Sequence, residues 1–383
     1  MDVILYGLGQ GLNLVEKMLK KEYKIIGYTD SYAKLTIFKG KPFYQLNEIR
    51  KIQFDYIIIT VYERGISWEI FNVLHREHGI SKQSIIPFYC YAKFELYESK
   101  LKKYNLNELK GLIFGNSHAA CGFLENEIEM PFANLAISGQ DIYYNYLTYK
   151  QCLKISGEKL RKLQYIIIDM YDYCYFNFDT SLTENAIKYI FSGGILDEHN
   201  FEKNCGFTKS FYEELAVRRY FPEKLSCMKQ LFYDTNIDYN HLQSDKRYNH
   251  IEKNTMLSQG PILGSIVRKR NPLTIDENIK LMHLFLSDIK KNHKNINIIF
   301  TLIPRYIDME YIYEPFIKSW KNEFTDILKV LCSKYNAFFI NYKICKELSE
   351  NPMFYYDVEH MNTVGGTALS SLLNKDLKRM REA

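Results

Sequence analysis

The 383-residue chain has no run of about 20 apolar residues of the kind that crosses a bilayer. Its longest apolar stretches, near 56–61 and 165–168, are short and β-branched, and they read as buried strands. The opening MDVILYGLGQG lacks a basic segment followed by an apolar one and a cleavage site. A cytoplasmic protein without a transmembrane segment is therefore expected. Lysine and arginine form no block, and the net charge of +5 is small for this length, so no nucleic-acid partner is expected. No C-x-x-C pair occurs. The eight cysteines, at 90, 121, 152, 174, 205, 227, 332 and 345, are dispersed and read as small hydrophobes, and no metal site is expected. Repeats and low-complexity linkers are also missing.

What is present is a globular composition, 46% hydrophobic and 25% charged, on a chain too long for one ordinary core. Two domains are expected, at 1–100 and 108–383. In the first, Val3–Tyr6 reads as a strand, Gly7, Gly9 and Gly11 as a tight turn, and Leu12, Val15, Met18 and Leu19 as a helix face. Lys24–Tyr28 reads as a second strand ending at Asp30, FDYIIITVYE as a third and SIIPFY as an edge strand. A strand, glycine turn and helix place a helix N-terminus where phosphates bind, and Asp30 stands where a ribose-binding acid is expected. The spacing is G-x-G-x-G rather than G-x-G-x-x-G. A Rossmann-like domain that holds no ligand and only orients its partner is the competing reading. The segments VILYGLGQG, KIIGYTDS, GKPFYQLNEI and FDYIIITV resemble the N-terminal nucleotide-sugar-binding domain of bacterial sugar acyltransferases and related modules of surface-polysaccharide enzymes. That resemblance implies a nucleotide or nucleotide-sugar ligand held by Gly7, Gly9, Gly11 and Asp30.

The second domain opens with GLIFGNSHAACGF, residues 111–123. A short apolar strand runs through Gly115-Asn116-Ser117-His118 into a helix, which holds the Ser117 hydroxyl at a strand–helix junction. There, backbone N–H groups stabilise a developing oxyanion. A serine needs a base to become nucleophilic. Near the other end, FYYDVEHMNTVGGTALSSLL carries Asp357 and His360 three residues apart, a spacing that lets the carboxylate fix the imidazole tautomer and leaves the other nitrogen for a serine. Ser117 read alone is equally a helix cap.

Together the G-x-S block and the D-x-x-H block, followed by Asn362 and Gly365, resemble the SGNH/GDSL hydrolase family. The resemblance spans the second domain and implies a flavodoxin-like three-layer α/β/α fold. It implies a Ser117–His360–Asp357 triad with oxyanion donors at Ser117 and Gly139, the latter in NLAISGQD. The family's third donor is an asparagine in a G-x-N-D block after the third strand. Here that stretch is YIIIDMYDYCYFNFD, with Asp169, Tyr171 and Asp172 nearby. This departure is similar to SGNH-like proteins of bacterial polysaccharide O-acylation. Asn116, His118, Tyr171, Asp172, Arg305 and Asn362 are candidate substrate contacts.

The helix before NINIIFTLIP is expected to start at a Thr274/Glu277 capping box and to bury Leu281, Leu284, Phe285 and Ile289. AFFINY, 337–342, is expected to be a buried strand, and Gly365-Gly366 to open a last helix over Ala368–Met380. A tyrosine-rich helical insertion is expected over about 175–270, with a helix capped by Ser181 and Glu184 and ended at Gly193-Gly194, and another in SFYEELAVRRYF. Arg268, Lys269 and Arg270 read as a solvated loop or, less simply, an anion contact, and Trp68 and Trp320 as packing residues.

The function these features point to is acyl transfer or ester hydrolysis on a cell-surface polysaccharide or its precursor. The partners are then a carbohydrate and an activated acyl donor, with no cofactor required for the chemistry and room for a homo-oligomer. Two alternatives stand beside it. One is an inactive SGNH scaffold joined to a nucleotide-sugar-binding domain. The other is a phosphorus-based group transfer to sugar hydroxyls.

Overall fold

The structure, a computed structural model, describes residues 1–9, 11–61, 64–94, 101, 103–180, 221–233, 236–237 and 270–382. Most of the expected insertion, including Ser181, Glu184, Gly193, Gly194, Arg268 and Lys269, lies outside the described residues. The protein is α/β, and the chain divides into two units, each built on its own parallel sheet. Among the described residues no helix is long and apolar enough to cross a membrane.

The first unit contains β1 (Asp2–Tyr6), α1 (Gly11–Met18), β2 (Lys24–Thr29), β3 (Tyr56–Ile59), α2 (Arg64–Arg76) and β4 (Ile85–Pro87). The sheet order is β2-β1-β3-β4, and every pairing is parallel. Val3, Ile4, Leu5, Ile57, Ile58 and Ile59 have no exposure. A strand covered on both faces shows this as an unbroken apolar run.

The helix Phe221–Leu231 also belongs to this unit, although the sequence placed it in the insertion of the second domain. The reason is tertiary. Lys224 is buried, and its Nζ donates to the carbonyls of Lys82 at 2.5 Å, Gln83 at 3.0 Å and Ile85 at 2.9 Å, around the start of β4. Phe232 meets Phe88 edge-on, with ring centroids 4.7 Å apart. The Lys20 N–H donates to Leu231 O, and the Tyr233 N–H to Met18 O.

The second unit contains β5 (Gly111–Phe114), α3 (Ser117–Gly122), β6 (Phe132–Asn134), α4 (Ile142–Ser156), β7 (Tyr165–Asp169), α5 (Pro272–Asn292), β8 (Asn297–Leu302), α6 (Ile307–Tyr335), β9 (Ala337–Asn341) and α7 (Thr363–Glu382). Its sheet is parallel throughout, in the order β9-β8-β7-β5-β6. This is the flavodoxin-like order, in which the winding reverses between β5 and β7. The crevice at the carboxyl ends of those two strands is where such folds place a ligand. Every residue of β5 and β7 is buried, so both sheet faces are covered. Phe285 of α5 packs edge-on against Phe114 and, tilted, against Tyr149 of α4.

Four local expectations change. Helix α5 is capped by Asn271, whose side chain accepts from the N–H groups of Leu273 and Thr274, with Pro272 in the first turn. Asparagine and proline outcompete the Thr274 box because proline presets the first helical φ and lacks the N–H that needs a partner. The buried stripe of α5 runs through Ile275, Met282, Phe285, Leu286 and Ile289, and Leu284 is 54% exposed. Strand β9 is an edge strand with Phe338 and Phe339 exposed. Helix α7 starts at Thr363 and runs through Gly365-Gly366. A Cβ at Gly365 would lie 2.1 Å from the Phe354 carbonyl, so close backbone contact, not helix breaking, requires this glycine.

Replacing Lys224 by methionine keeps the apolar stem and removes three charge-assisted hydrogen bonds. The first unit should lose about 2–3 kcal/mol in urea unfolding. A change within about 0.5 kcal/mol of wild type would show that this contact does not anchor the helix.

Candidate active site

Strand β5 ends at Phe114, and the chain turns at Gly115, which has φ +154°. A Cβ there would meet the Cβ atoms of Asp169 and Ala119 at 2.8 Å, so only glycine lets β5 and β7 approach at this point. The Gly115 N–H donates to Asn145 Oδ1 at 2.9 Å, and Asn145 Nδ2 donates to the Tyr175 hydroxyl. Asn116 caps α3 by accepting the His118 N–H at 3.0 Å, so it serves the backbone. Ser117 is the first residue of the helix.

Ser117 Oγ lies 2.8 Å from His360 Nε2. His360 Nδ1 lies 2.8 Å and 3.0 Å from the two oxygens of Asp357. Two residues 243 positions apart and a carboxylate thus form one hydrogen-bonded chain. With Nδ1–H donating to Asp357, the Nε2 lone pair accepts from the serine hydroxyl. Asp357 Oδ1 also accepts the N–H groups of Glu359 and His360, which tightens the 357–360 turn. Tyr356 stacks on the His360 ring at 5.4 Å, and its N–H donates to His360 O. Burial disfavours the imidazolium, but the Asp357 charge and hydrogen bond outweigh it and raise the His360 pKa above its ordinary value. Burial likewise pushes Asp357 up, and the attraction of His360 reverses this to leave it lowered.

Asn362 is not a free contact. Its amide donates to the carbonyls of Met353 and Tyr355, and its oxygen accepts the Gly365 N–H, so it fastens the histidine loop to the start of α7. Gly139 sits in a left-handed conformation, φ +75°, between β6 and α4. The backbone leading to it still follows β5, with the N–H groups of Leu135 and Ile137 donating to Ile113 and Gly115 carbonyls.

Asp172 and Arg305 are corrected from substrate contacts to a buried ion pair. Both have zero exposure, and Arg305 Nη2 lies 2.5 Å from Asp172 Oδ2. Lys343 Nζ joins them, 3.0 Å from Asp172 and 2.9 Å from Glu310. Arg305 also faces Glu310 at 3.7 Å and Glu359 at 3.8 Å, and its guanidinium lies over the rings of Tyr313 and Tyr171. Burial raises the Asp172 pKa, but Arg305 and Lys343 together hold it well below the usual carboxylate range. Asp169, buried without such cations in contact, is pushed up to about 7.

Tyr171 follows β7 with φ +55°. Its ring meets His118 edge-on at 4.8 Å, and His118 meets His360 at 5.2 Å. His118 is 2% exposed, and neither ring nitrogen has a hydrogen-bond partner. Burial, His360 and Arg305 lower its pKa well below the ordinary value. Sequence reasoning missed Glu359, Lys343 and Glu310. Glu359 stands inside the D-x-x-H block and was available to it, whereas Lys343 and Glu310 carry no local signal.

In the first unit, the Asp30 carboxylate accepts the N–H groups of Leu8 at 3.2 Å and Tyr32 at 2.9 Å, so it braces the glycine turn. Gly7 has φ +103°. Gly11 is required by packing, since a Cβ there would lie 2.1 Å from Thr60 O, whereas a Cβ at Gly9 would meet nothing within 4 Å. Of the packing residues, Trp68 stacks on Phe71 and Trp320 is buried beneath Arg270, which also pairs with Glu323.

Residues 1–86 match a family model described as C2185-like, N-terminal, less than a quarter of the chain. No curated protein matches the sequence. Solved structures with some likeness include a provisionally assigned acylhydrolase from Bacteroides fragilis NCTC 9343. It is 12% identical, covers 75% of this chain and 97% of its own, and has a TM-score of 0.35. Another is a provisionally assigned GDSL-like lipase from Parabacteroides merdae ATCC 43184. It is 9% identical over 69% of this chain and 93% of its own, with a TM-score of 0.29. At this level of likeness the site stands on its own geometry.

Asp172→Asn removes one partner from a buried ion network. The second unit should lose about 3–5 kcal/mol, read as a shift of its urea transition. A loss below about 1 kcal/mol would mean that Lys343 and Arg305 are adequately held by Glu310 and Glu359 alone.

Proposed function

We propose that the second unit is a serine-dependent enzyme that transfers an acyl group to a cell-surface polysaccharide or its precursor, or hydrolyses such an ester. The observation that carries this reading is the hydrogen-bonded chain from Ser117 through His360 to Asp357. His360 Nε2 takes the proton of Ser117 as Oγ bonds to the acyl carbon. The carbonyl π pair moves to oxygen, and the backbone N–H groups of Ser117 and Gly139 receive the oxyanion. The imidazolium, held by Asp357, then protonates the leaving oxygen, and the acyl–serine bond remains. In the second half His360 deprotonates a sugar hydroxyl or water, that oxygen attacks the acyl carbon, and Ser117 regains its proton.

Two features favour transfer to a sugar over attack by water. The chain lacks the asparagine block of simple esterases and carries Asp169, Tyr171 and Asp172 there. It also carries an N-terminal module whose sequence resembles nucleotide-sugar binders. Fast hydrolysis of simple esters without any response to an acceptor would make it an esterase. We extend the proposal to the first unit, where Gly9 borders open space and a phosphate of a nucleotide or nucleotide-sugar would approach the turn.

Ser117→Ala should abolish labelling by a fluorophosphonate probe and lower acyl transfer from an activated ester by roughly 10³-fold or more. Failure of the wild-type protein to label would favour the inactive scaffold.

For the first unit, UDP-N-acetylglucosamine, dTDP-glucose and NAD should be compared by thermal shift. One of them should raise the melting temperature in proportion to the logarithm of its concentration. Gly9→Leu fits the free space, so it should fold normally and lose that shift. No shift with any of the three would leave the first unit as an orienting module.

A further inference from the structure

We propose that His118, Glu359 and His360 form a binding site for a late first-row divalent cation of the zinc class, which competes with Ser117 for Nε2 of His360. One ligand atom from each of the three residues lies within 4.8 Å of the others. The second observation is His118 itself. It is 98% buried by its 2% exposure, and both ring nitrogens lack a partner. A buried polar group left unpaired is destabilising, and nothing in the triad uses this one. A metal bond to the imidazole lone pair gives one of those two nitrogens a partner.

The remaining ligands are already oriented. A metal-bound imidazole characteristically gives its other N–H to a carboxylate, and His360 Nδ1 is bound to Asp357 at 2.8 Å. The ligating nitrogen is therefore Nε2, the same atom that faces Ser117 Oγ. On Glu359, both the Tyr313 hydroxyl, at 2.7 Å, and Arg305 Nε, at 3.8 Å, approach Oε1, which leaves Oε2 for the ion. Two imidazoles and one carboxylate are a zinc-class donor set that keeps a coordination position for water.

The charge around the site agrees. Arg305 and Lys343 face Asp172, Glu310 and Glu359, two cations against three carboxylates, and Asp357 adds a fourth. The surplus is negative. A tetrahedral ion with bonds of about 2.0–2.2 Å sets ligand atoms about 3.3–3.5 Å apart, so the side chains close in by roughly an ångström. The partial exposure of His360 and Glu359 gives the ion access.

The binding claim stands on these residues alone, and only its effect on chemistry rests on the catalytic reading of Ser117. The test uses the full chain, freed of metal by chelation and titrated with Zn²⁺ in equilibrium dialysis. One equivalent should bind, roughly tenfold or more weakly in His118→Ala and in Glu359→Gln, and several-fold more tightly in Ser117→Ala, which removes the competing hydrogen bond. His118→Gln, closer in size, guards against loss of folding, and melting curves are taken for each variant. In wild type, Zn²⁺ should slow fluorophosphonate labelling and chelation should restore it. In His118→Ala, labelling measured against that variant's own zinc-free rate should not respond to Zn²⁺. Absence of binding, or binding that survives both His118→Ala and Glu359→Gln, overturns the proposal. Zinc binding with this variant pattern, in a chain that never labels, supports the metal site and overturns the catalytic reading.

Discussion

The buried carboxylate of Asp172 is the constraint on which the second unit's working edge depends. It follows β7, the Arg305 guanidinium follows β8, and Lys343 follows β9. One carboxylate thus ties the carboxyl ends of three parallel strands, and Arg305 continues the connection to Glu359, the neighbour of His360. The cost of taking these groups out of water is large. It is tolerable only because each cation faces more than one carboxylate and because Arg305 lies over the rings of Tyr313 and Tyr171. Such a network favours one arrangement of the loops, since any other leaves a charge buried and unpaired.

The second constraint is steric, at the reversal of strand order. Gly115 lets β5 run against Asp169 of β7, and the serine leaves the strand at that point. Gly365 and Gly366 let α7 approach Phe354 and Cys121, which brings the Asp357–His360 turn toward α3. Asn362 holds that turn by three hydrogen bonds to backbone. Serine and histidine meet because glycine contacts fix backbone distances on both sides of the sheet edge and asparagine fixes the loop between them.

The same physics sets the electrostatics. Asp357 keeps His360 basic enough to accept a proton, while burial and then the neighbouring His360 and Arg305 push the pKa of His118, one ring away, well down. Two imidazoles in contact therefore differ in charge preference through burial and partners together.

By itself the sequence determined the α/β class, the buried strands other than β9 and the local geometry of the Asp357–His360 turn. Apolar runs, glycine turns and i, i+3 spacing are short-range patterns that need no knowledge of what packs against them. It also marked Ser117 at a strand–helix junction, but a junction serine is equally a helix cap, and its distance to His360 is a property of the folded sheet. Leu284 and the β9 phenylalanines were misplaced because periodicity identifies an apolar face without saying whether a neighbour covers it. Asp172 and Arg305 were read as binding residues because charges near strand ends suggest a site. Lys343, 171 residues from Asp172, showed them to be buried partners. The helix Phe221–Leu231 joined the first unit through Lys224, whose acceptors are backbone carbonyls and leave no trace in side-chain composition. Tertiary structure decided these points because burial, ion pairing and backbone acceptors depend on which distant segments meet.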